Sequence, residues 1–309
     1  MPIPTSVVET FPEMTGHRAG LAALSAAGMA VSPALRLFSE RFEPFLRQYA
    51  EFCVELRGGA VSMTVAGKAH DAAYRDACRG LLVASGCGAF DAAFVGLCRR
   101  YYRATLGMKL EGEDLADAEV SAYFSADLAP EVVFDRLARF VPWEPAMLDG
   151  LVAVCDEVGA GTARGVGLDL RHGVVERVRA YMQVPAGPVL ARGGALDRLL
   201  AGWGQVRDAF VPLAAALAAK ARREVLVSVY LSRSPATSVK LLLLDVPVAE
   251  ARAVLAATAG FDGELTRLDA VVAALDAPVI SALGLGWAGD RPGMKAYFLR
   301  QARRQGGAR

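Results

Sequence analysis

The sequence predicts an α+β fold. It is a closed ten-stranded antiparallel β-barrel with a solvated lumen, surrounded by a ring of α-helices. Three observations predict it. Five stretches alternate bulky with small or polar residues on both sides of a short turn, so each reads as a β-hairpin. The hairpins recur roughly every 50 to 60 residues, each with one or two amphipathic helices. Two of them share sequence: GVGLDLRHGVVERVRAYMQV at 165–184 and ISALGLGWAGDRPGMKAYFL at 280–299. A parallel sheet would separate its strands singly by helices, whereas these come in pairs with short turns. Closing the sheet removes its edge strands, and helices then cover the bulky outer face.

Each element has a local reason. Residues 1–31 read as an N-terminal lead-in, with a short helix at 21–30, and 32–309 as a single domain. Ser32 can cap a helix over 32–49, Pro33 suits its first turn, and Leu35, Phe38, Phe42, Phe45 and Tyr49 recur at helical spacing. The first hairpin, 52–66, turns at Gly58-Gly59. One or two helices follow over 69–101, broken near Gly86-Cys87-Gly88. The second hairpin, 103–124, carries an acidic loop at 112–119 that reads as solvent-facing. Helical patterns return at 130–140 and 145–158, before the third hairpin turns at Arg171-His172-Gly173. Residues 195–222 read as helix, and the fourth hairpin, 224–246, turns at Arg233-Ser234-Pro235. Helices at 249–259 and 263–275 precede the fifth hairpin, whose turn is Gly289-Asp290-Arg291-Pro292-Gly293.

Composition excludes several classes. A net charge of +1 gives no bulk field towards nucleic acid or membrane. The most apolar helical run, 210–219, is too short to span a bilayer. The N-terminus lacks the cationic segment of a signal peptide. Five cysteines form no C-x-x-C pair, and with three histidines they make a structural zinc site implausible. Free cysteines suit a cytoplasmic protein. His70, His172 and the cysteines read as structural or surface residues.

Strand parity gathers the chemistry. It places Arg57, Lys109, Arg177, Arg179, Lys240 and Lys295 on the lumen face, with Tyr123, Tyr181, Tyr230 and Tyr297. A lone strand lysine is usually a solvated edge residue, but six cations on one parity form a set. Buried cations are costly unless neutralised, and Glu55, Glu111 and Asp169 do part of this. The remaining excess suits an anion with several oxygens, such as a diphosphate. Tyrosine hydroxyls can bind phosphate oxygens, and tyrosine faces can shield a carbocation.

These residues resemble the aromatic prenyltransferases of the ABBA type, or PT barrel. The likeness covers 52–299. It rests on the repeat length, on the Arg-x-Arg-x-Tyr of Arg177, Arg179 and Tyr181, and on the Lys-x-Tyr of Lys295 and Tyr297. The second and third hairpins look most like the short bacterial members that prenylate cyclic peptides, which implies a place in RiPP (ribosomal peptide) natural-product biosynthesis. The resemblance implies five αββα units. It also implies transfer of a dimethylallyl or geranyl group from an allylic diphosphate to an electron-rich acceptor, by a monomer. The acceptor is a small aromatic molecule, a tyrosine or tryptophan, or a cyclic peptide. Lys109, Arg177, Arg179, Lys240 and Lys295 would hold the diphosphate. Tyr123, Tyr181, Tyr230 and Tyr297 would shield the cation. Glu55 resembles the position that contacts the nucleophile, and Mg2+ could bridge the diphosphate through Asp169 or Glu111. Where family members usually carry Lys-x-Tyr, this chain has Ser121-Ala122-Tyr123, and Lys109 on the facing strand is the substitute cation. The alternative is a non-catalytic barrel that binds an amphipathic anion.

Overall fold

A computed structural model describes residues 16–45, 50–100, 105–139, 161–185, 224–232, 238–258, 260–288 and 291–300, with a few residues between 152 and 216. Its strands are β1 (Ala50–Glu55), β2 (Val61–Lys68), β3 (Thr105–Glu111), β4 (Glu119–Leu128), β5 (Ala163–Arg171), β6 (Val174–Pro185), β7 (Glu224–Ser232), β8 (Ser238–Pro247), β9 (Val279–Ala288) and β10 (Arg291–Arg300). The helices are α1 (Gly16–Ala26), α2 (Pro33–Phe42), α3 (Ala72–Ala84), α4 (Asp91–Arg100), α5 (Pro130–Ala138), α6 (Val248–Ala256) and α7 (Asp262–Leu275). A 3-10 turn at Gly88–Phe90 separates α3 from α4. The helix expected over 195–222, most of that over 145–158, and the turns at 233–235 and 289–290 lie outside the described residues.

The sheet is antiparallel throughout, and each strand pairs with the next in sequence. β1 also pairs with β10, from Ala50 opposite Arg300 to Glu55 opposite Lys295, so the sheet closes on itself. That contact joins the two ends of the sheet's sequence and leaves no open edge among the described strands. The β5–β6 turn runs through His172 and Gly173, with φ of 49° and 76°. This two-residue geometry matches strand twist and favours glycine at its second position.

The core lies between the outer face of the barrel and the helices. Phe52, Met63, Leu106, Phe124, Leu168, Leu243 and Leu285 are buried from the sheet side. Leu35, Phe38 and Phe42 of α2 meet them from outside. Ser32 caps α2 by accepting from the Leu35 N–H at 3.2 Å, and Pro33 occupies the first turn. Asp71 caps α3 by accepting from the Tyr74 N–H. Tyr74 then lies over Gly67, where a Cβ would meet its ring at 2.8 Å, and its hydroxyl sits 2.9 Å from the carbonyls of both Val65 and Leu106. One side chain thereby ties α3 to β2 and β3. Within the expected lead-in, α1 buries Leu21 and Leu24 in the same core and packs on α7. No helix among the described residues is long and apolar enough to cross a membrane.

Three local readings are corrected. β1 ends at Glu55, so Arg57 lies in the turn rather than on the lumen face. It is exposed, and its carbonyl accepts from Arg267 Nη1. The acidic loop ends one residue early, because Glu119 begins β4 and points into the barrel network. The fifth turn is shorter than its composition suggests. Arg291, Pro292 and Gly293 already pair with Ala288, Trp287 and Gly286. A fourth feature was not legible as parity: the β5–β6 register shifts between Asp169 and Leu170, so Asp169 faces Arg177 while Leu170 faces Val175. Glu176 is the extra residue of this bulge, and it brings Arg177 into phase with Asp169.

Candidate active site

Strand register builds the site. At one level Lys109 faces Ser121, Ser121 faces Asp169, and Asp169 faces Arg177. Two residues along, Gly107 faces Tyr123, Tyr123 faces Gly167, Gly167 faces Arg179, and Arg179 faces Tyr230. At the next level Gly165 faces Tyr181, Tyr181 faces Ser228, and Ser228 faces Lys240. Across the closure Glu55 faces Lys295, Lys295 faces Gly284, and Cys53 faces Tyr297. Long side chains thus alternate with residues that have little or no side chain. The glycines are what let them lie flat. A Cβ at Gly167 would come within 3.0 Å of the Tyr123 ring and 3.4 Å of Tyr181, and one at Gly284 within 2.5 Å of Lys240 Cε.

Lys109, Arg177, Arg179, Lys240, Lys295, Tyr123, Tyr181 and Tyr297 therefore share one wall, with Glu111 and Asp169. Tyr230 joins them by backbone register. Ser121 faces Lys109 across the β3–β4 ladder, so a cation stands on the strand next to the β4 serine. Glu55 is half-buried next to Lys295 on the closing strand pair, and its carboxylate forms no hydrogen bond or ion pair with another described residue. Glu119 is the residue that the sequence reading missed.

The charges sort into two groups. Asp169 is fully buried, and its Oδ2 receives Arg177 Nε at 2.9 Å together with Arg179. Burial alone would push its carboxyl up; Arg179 and Arg177 outweigh burial and hold it below the usual range. Glu119 adds a contact to Arg177 at 2.5 Å. Glu111 accepts from Lys109 at 2.5 Å and from Lys295 at 3.2 Å. Those two lysines keep Glu111 ionised far into acid, and Glu111 more than offsets the burial of Lys109. Lys240 differs. It donates to the Tyr297 hydroxyl, with its ammonium 4.6 Å from the ring centroid, and forms no ion pair with a described residue. Burial, with Lys295, Lys109 and Arg179 nearby, brings its pKa down to about 7.

The aromatic part is compact. Tyr123 and Tyr181 meet edge to face at 6.0 Å, and the Arg179 guanidinium lies 6.0 Å from the Tyr123 centroid. Burial pushes the Tyr181 and Tyr297 hydroxyls up, so both are neutral donors. The lumen sets cations beside aromatic faces, a combination whose chemistry can attract a polyanion and shield a carbocation.

No protein-family model and no curated protein sequence matches the chain. Solved structures do match it. Its fold is that of the ABBA aromatic prenyltransferases. A 5-dimethylallyltryptophan synthase from Streptomyces coelicolor superposes with a TM-score of 0.60 at 17% identity, over 92% of this chain and 96% of that one. A 6-dimethylallyltryptophan synthase from Micromonospora olivasterospora, in complex with DMASPP and Trp, gives 0.59 at 16% identity over 91% and 95%. NotF, in complex with brevianamide F and DMSPP, gives 0.64 at 12% identity over 96% and 97%.

Proposed function

We propose that this protein transfers a dimethylallyl or geranyl group from its allylic diphosphate to an electron-rich aromatic acceptor. The carrying observation is one lumen wall on which Lys109, Arg177, Arg179, Lys240 and Lys295 converge beside Tyr123, Tyr181 and Tyr297. The allylic C–O bond breaks and its electron pair leaves on the diphosphate. The cations stabilise the charge as it grows. Aromatic faces shield the allyl cation while a ring carbon or heteroatom of the acceptor bonds to it. The acceptor's proton is then lost, and Glu55, ionisable and without a described partner, is the group assigned to hold the acceptor or take that proton. That neighbours of the same fold are found in complex with DMASPP and Trp, or with DMSPP and brevianamide F, supports this choice of donor and acceptor classes. Cytoplasmic location, a monomeric state, a single domain over 32–309 and a peptide acceptor in RiPP biosynthesis belong to the same proposal.

A protein-held Mg2+ does not fit these residues. Asp169 Oδ2 lies between two arginines and Glu111 between two lysines, and no cluster of three His, Cys, Asp or Glu occurs among the described residues.

The test incubates the protein with dimethylallyl diphosphate and a panel of tryptophan, tyrosine, a cyclic dipeptide and a tyrosine-containing cyclic peptide, and reads products by mass spectrometry. A prenylated product supports the proposal. Donor binding with no product on any acceptor supports the anion-binding barrel instead. Glu55→Gln should then fold and bind donor while turnover falls ~10²–10⁴-fold. Full turnover in a folded sample would remove Glu55 from the mechanism.

A further inference from the structure

Glu111 ends β3, Glu119 begins β4, and the two stand directly opposite each other in the strand register. Like charges at one cross-strand pair repel, so this pair does nothing for the sheet. Both are instead held by cations from elsewhere in the barrel. Glu111 takes Lys109 from its own strand at 2.5 Å and Lys295 of β10 at 3.2 Å. β10 reaches β3 along the wall only through β1 and β2. Glu119 takes Arg177 of β6, with β5 between them, at 2.5 Å and lies 3.7 Å from Arg179. Two carboxylates thereby gather four of the five lumen cations assigned to the diphosphate. The contacts to β6 and β10 skip the intervening strands, so they run over the lumen rather than along the ladder.

The third acid is placed differently. Asp169 is fully buried in mid-sheet, with a short side chain locked by Arg177 and Arg179. The Glu111 and Glu119 side chains are 35% and 23% exposed and flank the loop at 112–118. A rotamer change can carry either glutamate off its cations into water, whereas Asp169 has no such exit.

We infer that Glu111 and Glu119 stand in for the diphosphate in the empty barrel, holding its cations in place and yielding them when the donor binds. This rests on the lumen being a diphosphate site. Two carboxylates and a diphosphate carry comparable charge, so the exchange leaves the cluster close to neutral while the cations stay pre-arranged. The acids therefore compete with the donor. Removing one should tighten donor binding, where a purely structural glutamate would loosen it by letting its arginine or lysine wander.

The test titrates inorganic pyrophosphate, and in parallel dimethylallyl thiolodiphosphate, into wild type, Glu119→Gln and Glu111→Gln in EDTA-containing buffer, and repeats the pyrophosphate titrations with Mg2+ in place of EDTA. Thermal melting checks that each sample is folded. Both variants should bind pyrophosphate at least about tenfold more tightly than wild type, the equivalent of one hydrogen bond between charged groups. Unchanged or weaker binding in folded variants overturns the inference and leaves the diphosphate site standing. Weaker binding in the variants together with Mg2+-dependent binding in wild type also overturns it, because the pair would then be a metal bridge. Wild type and variants that all ignore pyrophosphate remove the diphosphate reading and this inference together. If Glu119→Gln melts below the assay temperature, Glu119→Asp replaces it. Its carboxylate is one methylene further from Arg177, so affinity should still rise, and an unchanged or lower affinity overturns the inference.

Discussion

The arc from β3 to β6 and the arc from β8 to β10 carry similar residues with opposite electrostatics. In the first, Lys109, Arg177 and Arg179 are matched by Asp169, Glu111 and Glu119, and every cation touches an acid. In the second, Lys240 lies against Gly284 and Lys295 faces it in the strand register, and among the described residues only Lys295 reaches an acid, which belongs to the other arc. The difference separates what the fold needs from what a ligand needs. The contacts of Arg177 and Arg179 with the fully buried Asp169 form part of the folded structure, whereas the partly exposed Glu111 and Glu119 can release their cations. A desolvated lysine with no acid raises the energy of the empty barrel and lowers that of the barrel holding an anion.

The sharpest way to break this contrast is at Asp169. Asp169→Ala leaves Arg177 and Arg179 close together with their central acid gone. Breaking a buried ion pair costs ~3–5 kcal/mol, and chemical denaturation should show a loss of that order. The carboxyl sits below its ordinary range in the folded state, so its contribution is present above the ordinary carboxylate pKa. It is lost as pH falls through the lowered folded value. Wild-type stability should therefore fall in acid, and Asp169→Ala should flatten that dependence. A variant as stable as wild type would mean that the paired arc does not hold the fold.

Lys240 should behave in the opposite sense. Its folded pKa of about 7 lies below the ordinary lysine value, so the unfolded chain binds the proton more readily. Between the two pKa values the stability of the empty protein should rise with pH, with the full penalty present below about 7. Lys240→Met removes the penalty and should hold or raise the melting temperature. Pyrophosphate affinity should drop about 10–150-fold, the loss of one charged hydrogen bond. In wild type, binding should draw a proton onto Lys240, and affinity should decline as pH rises above about 7. Destabilisation on Lys240→Met with unchanged affinity would erase the contrast.

Much of this was legible because period-two alternation survives in every hairpin. Parity alone put Lys109, Arg177, Arg179, Lys240 and Lys295 on one face, since a strand residue has only two faces to choose from. The failures have local causes. Arg57 followed the parity of β1 past the point where the Gly58-Gly59 turn ends the strand. Glu119 looked like the last acid of a solvated loop, and nothing within the hairpin indicates an arginine waiting beyond β5. The bulge at Glu176 and the pairing of β1 with β10 depend on contacts across strands, which no local pattern records. Parity within a strand groups side chains by face, but where the strand ends and which of those side chains hold one another depend on contacts that it does not record.

The smallest expected effects sharpen the comparison at the glycines beneath each arc. Gly167→Ala places a methyl 3.0 Å from the Tyr123 ring and 3.4 Å from Tyr181. Both rings are pinned, by Arg179 and by each other, so the strain has no easy outlet and should cost ~1–3 kcal/mol. Gly284→Ala makes the shorter contact, 2.5 Å to Lys240 Cε, with Nζ at 3.0 Å and the Tyr297 ring at 3.1 Å. The nearest atoms there belong to the far end of a flexible chain that no acid among the described residues holds, so Lys240 can swing away. Stability should change less than in Gly167→Ala despite the closer approach, and the displaced lysine should appear as weaker pyrophosphate binding. Parallel melts and titrations of the two variants decide it. If Gly284→Ala is the more destabilised protein and binds pyrophosphate normally, then Lys240 is fixed by the fold, and the two arcs differ in charge alone.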